Sequence, residues 1–421
     1  MGYKKMLAVT AVGMLPLVAS AQNSSLGQPI QVEDVLTFSA GLNLDIHSNI
    51  FLLDSNTPLT AVLGATSTET SRGDSVLSGE FGVKFDRDFS LQRITAFGTI
   101  SPRKYINYSQ YDNLGYDAGV NWDWAVGRPW FGKLGIRLGQ QPSSFNDVRQ
   151  SDKNLQRTTR LYLSAGMRLT PSWSLLAGLD SDRLDNSTTA QNNADRRFTG
   201  TEFGVRYAPG TGNEFDLVYR RTDGKYPNRQ VVDALGQPLL GGAGIDNGFN
   251  ENAFLVRVQY KPNEDTTISG QAGLTRRSYD TFTQRDFSGP TARLTLDWRP
   301  GGAFFMGVDL VRDIAEDQIL SANYVDLTEL RLRPTIRLTG KTSLAGLLSF
   351  QNRDYGGDPG FATGAAVVRK DKINRLGFSA DWQYSRNILV TLGYERVARS
   401  SNYPDLDYNN NILSIGAKIK L

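Results

Sequence analysis

From Val35 to Leu421 the chain alternates apolar and polar side chains with a period of two, a pattern that suits extended strands with two unlike faces. Between Tyr116 and Trp124 the apolar set is Tyr116, Ala118, Val120, Trp122 and Trp124, with Asp117, Gly119, Asn121 and Asp123 between them. Leu376, Phe378, Ala380, Trp382 and Tyr384 alternate in the same way with Arg375, Gly377, Ser379, Asp381 and Gln383. Helical spacing fits neither window. About eighteen such runs follow one another, starting near Val35, Ser75, Gln92, Leu114, Pro129, Gln156, Ser172, Phe198 and Asn213, then near Glu251, Thr266, Pro290, Phe304, Asp326, Thr342, Lys372, Asn387 and Asn410.

The connections alternate in length. Short turns follow every second run, at Asp86 to Ser90, Gly127 to Pro129, Thr170 to Ser172, Pro209 to Gly212, Pro262 to Asp265, Pro300 to Gly302, Thr339 to Lys341 and Ser385 to Asn387. Longer polar connections lie between them, such as Leu52 to Asp74, Thr222 to Asn250 and Arg353 to Lys370. The unit is one hairpin plus one long loop, a repeat of roughly 40 residues.

All six tryptophans sit beside the short turns: Trp122 and Trp124 end one run, Trp130 and Trp173 begin others, and Trp298 and Trp382 end two more. Each shares parity with the apolar face of its run. An indole is apolar yet carries an N–H that seeks a wet partner, so such a ring settles where hydrocarbon meets water. The set reads as an aromatic girdle at one membrane surface, joined by Tyr207, Tyr260, Phe304 and Tyr384.

Two solutions satisfy every backbone polar group inside lipid, the helix and the closed barrel. After Val35 no stretch approaches the roughly 18 consecutive apolar residues of a spanning helix. A barrel escapes hydropathy scans because half its side chains face a watery lumen, so a mean hydropathy below zero is compatible with one. The expectation is therefore an all-β, transmembrane, antiparallel up-and-down barrel of about 18 strands, with 16 as the alternative. Short turns would face the periplasm and long loops the exterior. The C-terminal run Leu413, Ile415, Ala417, Ile419 and Leu421 would be the last strand, the element the outer-membrane insertion machinery reads.

Met1 to Ala21 has Lys4 and Lys5, an apolar run to Val18 and the small-x-small site Ala19-Ser20-Ala21, the order of a secretory signal peptide. Residues 22–34 then form a short periplasmic segment and 35–421 the barrel. The absence of cysteine excludes disulfides, thiolate nucleophiles and zinc-thiolate sites, and fits passage through an oxidising periplasm. The net charge of +3 falls by two when Lys4 and Lys5 leave with the leader, so overall charge singles out no partner and gives no reason to expect nucleic acid.

No catalytic centre is expected. His47 is the only imidazole and has no nucleophile-turn motif beside it. Asp180 to Asp185 and Asp313 to Asp317 lack the fixed ligand spacing of a calcium loop and read as solvated loop residues. Gly241 to Gly244 and Gly356 to Gly360 have no strand-to-helix context for cradling phosphate. No metal or cofactor is expected.

The lumen carries the informative chemistry. Parity opposite to the tryptophans turns Arg137, Arg168, Arg206, Arg220, Arg257, Arg293, Arg331, Arg333, Arg337 and Arg375 inward, together with Lys84, Lys133 and Arg299. Fewer acids share that face: Glu80, Asp117, Asp123, Asp180, Asp216, Asp297, Glu329 and Asp381. Guanidinium forks grip carboxylates or phosphates in pairs, and an excess of them on a low-dielectric wall favours anions. The alternative is a ladder in which arginines and acids satisfy one another, and the two can coexist. Inward Phe97, Phe131, Tyr162, Tyr279 and Tyr355 offer faces for sugar rings or packing for an in-folded loop.

The segment Leu42 to Phe51, LNLDIHSNIF, with Asp45 and Ser48-Asn49-Ile50-Phe51, resembles the early strand of outer-membrane β-barrels encoded with exopolysaccharide biosynthesis and export machinery, a porin-type group. His47 stands where such sequences often carry another Asp. The resemblance implies conduction or assistance of exopolysaccharide export, an anionic polymer in the first instance, with periplasmic and inner-membrane export components as partners beside outer-membrane lipid and lipopolysaccharide. A diffusive porin for small anions or oligosaccharides and a loop-plugged structural or adhesive barrel are the alternatives.

Overall fold

A computed structural model describes residues 35–64, 69–145, 152–210, 212–228, 248–280, 286–315, 324–356, 369–403 and 405–421. The expected leader and the segment to residue 34 lie outside them, as do most of the Thr222 to Asn250 connection, Gly241 to Gly244 and all but Gly356 of the Gly356 to Gly360 piece.

Eighteen strands are formed among the described residues. They are β1 Leu36–His47, β2 Asp74–Phe89, β3 Gln92–Tyr105, β4 Asn113–Val126, β5 Trp130–Pro142, β6 Leu155–Arg168, β7 Trp173–Asn186, β8 Arg196–Tyr207 and β9 Glu214–Lys225. The second half adds β10 Phe249–Asn263, β11 Thr266–Tyr279, β12 Phe287–Trp298, β13 Phe304–Ala315, β14 Tyr324–Arg337, β15 Thr342–Gly356, β16 Lys370–Gln383, β17 Ile388–Ser401 and β18 Tyr408–Lys420. Each begins within three residues of its expected start. Every strand pairs antiparallel with its neighbours in sequence, and β1 pairs with β18 from Ser39 opposite Lys420 to His47 opposite Ile412, which closes the sheet. No helix among the described residues is long and apolar enough to cross a membrane.

Closure leaves each strand one outward and one inward face. Within the strands every exposed large apolar side chain has the outward parity, from Phe38 and Phe81 through Phe203 and Leu217 to Leu413 and Ile415. Five of the six tryptophans are exposed and Trp124 is half-buried. The girdle is continuous at several joins: the Trp173 and Tyr207 rings lie 4.9 Å apart, Phe215 and Tyr260 6.2 Å, Trp298 and Phe304 6.2 Å, and Trp382 and Tyr384 5.3 Å. The Trp122 indole N–H donates to the Gln92 Oε1 at 2.8 Å, the wet partner that an interfacial indole needs.

Two turns are tighter than expected, at 90–91 and 264–265. The first hairpin extends its strand to Phe89 and turns on Ser90, which holds φ at 59°. Gly127, Gly210, Gly301 and Gly302 supply positive φ at other periplasmic turns. Phe203 stands near mid-height of the outer face and is 65% exposed. Replacing it by Arg places a charge in hydrocarbon and is expected to cost about 2–4 kcal/mol. Reversible urea unfolding in lipid vesicles measures this; a loss under about 0.5 kcal/mol, the scale of an ordinary surface change, contradicts the outward assignment.

Candidate functional site

Every arginine expected to face inward lies on the inner parity of its strand, and the inner wall joins most of them to acids. Arg206 makes a two-pronged bond to Asp216, 2.7 Å from Nε and 2.8 Å from Nη2, and its third nitrogen reaches Glu214 at 2.8 Å. Arg220 contacts Asp180 at 2.7 Å and Glu202 at 3.3 Å, while Arg257 grips the same Glu202 at 2.9 and 2.6 Å and donates to Gln271 at 3.1 Å. One polar network therefore runs around β7, β8, β9, β10 and β11. Beyond it, Arg293 pairs with Asp313 at 2.5 Å, Arg333 with Asp309 at 3.0 Å and Arg375 with Glu395 at 3.4 Å. Arg331 pairs with Glu329 at 2.8 Å, and Ser349 donates to the same carboxylate oxygen. On the opposite side Arg137 meets Asp117 at 2.6 Å, Lys133 meets Asp123 at 2.8 Å and Lys84 meets Asp86 at 3.4 Å.

This pairing corrects the expected excess of inward cations. The parity that identified the arginines also turns Glu202, Asp182, Asp309, Asp313 and Glu395 inward, and each accepts from a basic side chain. Two of the ten arginines have no carboxylate partner among the described residues. Arg168 donates to the Arg128 carbonyl at 2.9 Å and lies over the Phe131 ring at 4.6 Å. Arg337 is the other. Arg299, set over Phe305 at 5.4 Å, and Lys420, opposite Ser39, are like them among the described residues. All four stand at or just beyond the periplasmic ends of their strands and form a basic inner rim, with Asp381 nearby accepting from Thr391 at 2.7 Å; at the outer end of the bore Arg196, set over the Phe198 ring at 5.5 Å, is also without a carboxylate partner among the described residues.

The carboxylates of Asp180 to Asp185 lie in β7 and not in a loop: Asp180 and Asp182 pair inward with Arg220 and Arg160, and Asp185 pairs outward with Arg183 at 2.6 Å. Asp313 lies in β13, paired with Arg293. No group of residues that could hold a metal ion occurs among the described residues. The inward aromatics divide in two. Phe97, Phe131 and Tyr162 are half-exposed in the bore, each beside a cross-strand glycine (Gly119, Gly166 and Gly135) that leaves room for a ring. Tyr279 and Tyr355 are buried near the outer ends of their strands and have no free face.

The outer mouth differs most from expectation. Residues 52–64, read as part of an exterior connection, and residues 49–51, read as the end of the first strand, fold back onto inward-facing side chains. Asn49 fixes the bend: its amide donates to the Leu53 carbonyl at 2.8 Å and its Oδ1 accepts from the Leu53 N–H at 3.1 Å. Its backbone N–H donates to Oδ1 of the inward Asn410 at 3.0 Å, and the Asn410 amide also contacts His47 Nδ1 at 3.2 Å. Leu52 packs on Ile373, Val397 and Tyr408 of β16, β17 and β18. Phe51 turns the other way, 4.8 Å from Tyr108, 5.7 Å from Tyr111 and 5.2 Å from Phe145, and joins Val76 and Tyr105 of β2 and β3 in one cluster.

A short helix, α1 Thr60–Leu63, adds Val62 to this cluster. Arg72 closes the segment by donating to the Asp54, Ser55 and Thr57 carbonyls at 2.5, 2.9 and 2.8 Å. Burial pushes the Tyr111 phenol up to about 12, so the cluster stays uncharged in ordinary conditions. Phe51, Leu53, Leu59 and Val62 explain the inward turn, because together they are too apolar to stand in water. The Asp45 to Phe51 run that carries the family resemblance is thus the anchor of this segment, with Asp45 accepting from Ser414 at 2.5 Å. His47 ends β1 at its base.

Residues 266–421 match the sequence profile of a family described as "Putative beta-barrel porin 2". No curated protein sequence matches the chain. Among solved structures it is similar to the outer membrane protein opdK from Pseudomonas aeruginosa, at 11% identity and a TM-score of 0.45, covering 92% of this chain and 99% of that one. It is also similar to OccK3 (OpdO) from the same organism, at 12% identity and 0.47, covering 92% and 96%. The siderophore receptor PirA from Pseudomonas aeruginosa matches at 10% identity and 0.41, covering 92% and 81%. Such values carry no argument about what passes through this bore. A closed 18-strand barrel with an apolar outer face, an aromatic girdle and a porin-family match is a porin-like protein of the bacterial outer membrane.

The Arg206 cluster yields a stability prediction. Arg206 and Asp216 are 7% and 5% exposed, so Arg206→Ala leaves buried Asp216 and half-buried Glu214 without their cation and is expected to cost about 3–5 kcal/mol. Arg206→Met combined with Asp216→Leu is expected to cost much less. Unfolding midpoints in detergent compare the two, and equal losses contradict a buried pair.

Proposed function

We propose that the chain is a porin-type channel through which small polar solutes, anions in preference, diffuse across the outer membrane. The observation that carries this reading is the distribution of pairing in the bore. Carboxylates neutralise eight of the ten inward arginines considered, whereas Arg168, Arg299, Arg337 and Lys420 form a basic inner rim without acid partners among the described residues. Unpaired cations at the rim of a low-dielectric wall focus a positive potential and raise the local concentration of anions.

Export of an exopolysaccharide, the role implied by the resemblance of residues 42–51, asks for a wide and unobstructed passage. The in-folded residues 49–64 take up room at the outer mouth between β16–β18 and β2–β3, which weighs toward small solutes. Half-exposed Phe97, Phe131 and Tyr162 would suit short sugars as well as simple anions.

Planar-bilayer recordings under a salt gradient test the proposal. The wild-type barrel is expected to conduct with a reversal potential on the anion side. Arg168→Glu, Arg299→Glu and Arg337→Glu together should carry the preference to cations, while removal of Ile50 to Leu63 should raise unit conductance and leave selectivity in place. Cation preference in the wild type, unchanged selectivity in the triple variant, or no conductance in either protein overturns it. Block by long uronic-acid chains at lower concentration than by short ones would favour the export role instead.

A further inference from the structure

The outward face carries a row of cations that the bore does not explain. Arg183 of β7 lies directly opposite Arg197 of β8, and Arg197 directly opposite Lys225 of β9. All three are exposed and share outward parity with Leu179, Phe203 and Leu217 lower on the same strands. Like charges placed directly opposite on one sheet face repel, and here the repulsion recurs across two successive strand pairs.

Internal acids answer little of it. Arg183 keeps Asp185, and among the described residues no carboxylate lies within ion-pair distance of Arg197 or Lys225. The nearby Asp195 is committed to the amides of Asn186 and Asn228. Arg221, four residues lower on β9, pairs with Asp223 at 3.2 Å, and Arg157 of β6, opposite Asp185, donates to Gln140 at 2.8 Å. Elsewhere on the outward face Lys104, Arg276, Arg312, Lys372 and Arg396 have no cation directly opposite them, so the crowding is confined to β7, β8 and β9.

The height of the row identifies what meets it. Arg183, Arg197 and Lys225 each lie ten residues along the strand from the periplasmic aromatics Trp173, Tyr207 and Phe215, which are themselves in register. At about 3.3 Å per residue and a tilt of about 35–45°, that is about 25 Å above the girdle, the height of a barrel's apolar band. The row therefore stands at the headgroup level of the outer leaflet, where the lipid of a Gram-negative outer membrane presents phosphates on a glucosamine core.

We propose that Arg183, Arg197 and Lys225, flanked by Arg157, form a binding site for the phosphate groups of outer-leaflet lipid A. Guanidinium forks match phosphate oxygens two at a time, and a bound dianion converts the repulsion along the row into attraction. Phosphates lose their partners if these side chains become neutral, while the bore on the other face of the strands is untouched.

The test uses the full refolded barrel in a zwitterionic detergent, titrated with bis-phosphorylated lipid A and with its dephosphorylated form. Bis-phosphorylated lipid A is expected to bind at least about tenfold more tightly, on the scale of one lost charge-assisted contact, and to raise the unfolding temperature by linkage. The variant Arg183→Gln, Arg197→Gln, Lys225→Gln should lose that preference and that rise, yet keep wild-type conductance and heat-modifiable mobility. Arg197→Gln alone, the central member, should lose part of it if the triple variant does not refold. Equal affinity for the two lipid forms, an unchanged preference in the variants, equal binding of phosphatidylglycerol, or displacement by millimolar inorganic phosphate alone would each overturn the assignment.

Discussion

The structure rests on closure of its sheet. Inside hydrocarbon an unpaired backbone N–H or C=O costs several kcal/mol, so a chain that crosses with strands must pair its first strand with its last. Here β1 meets β18 over the run from Ser39 and Lys420 to His47 and Ile412. That seam is polar within: Ser414 donates to Asp45, and Lys418 reaches Glu80 on β2 at 2.6 Å. The same seam holds the base of the in-folded segment through Asn410, so the closure of the barrel and the shape of its outer mouth depend on common residues.

Once closed, the two faces are subject to opposite requirements, and each charged residue takes its meaning from the face it occupies. Arginines toward the bore must be satisfied in a confined space, and they recruit acids from neighbouring strands, as Glu202 of β8 serves Arg220 of β9 and Arg257 of β10. Arginines toward lipid have no such wall opposite them. Arg197 and Lys225 stand beside like charges at the height where the membrane itself supplies anions. One residue type thus serves both faces, bracing the bore on one and standing exposed on the other.

The fold was legible because barrel strands write their faces into the sequence. Parity alone put Trp122, Trp130, Trp173, Trp298 and Trp382 on the exposed outer face, beside the short turns. The bore was half legible. Parity found Arg206 and Arg257, yet no local pattern says that Arg257 shares Glu202 with Arg220, because that contact joins residues 55 apart in the chain. A fuller reading of the same parity would have found Glu202, Asp309 and Glu395, and with them the near-balance of charge. The in-folded segment had a signal too, the apolar Ile50, Phe51, Leu53, Leu59 and Val62 inside a supposedly solvated loop.

What the sequence determined by itself is what a two-residue period can encode: the strand number to within a hairpin, the outward and inward sets and the polarity of the lumen. These follow from the alternation of Cβ directions along a strand and need no knowledge of the partner strand. Only the tertiary structure decided which charges meet. Register set Arg206 against Asp216 and Arg183 against Arg197, and a one-residue slip would have moved every such pair to the other face. Closure likewise decided the outer mouth, since Phe51 and Leu52 find their clusters on strands from both ends of the chain, brought together only when β1 and β18 join.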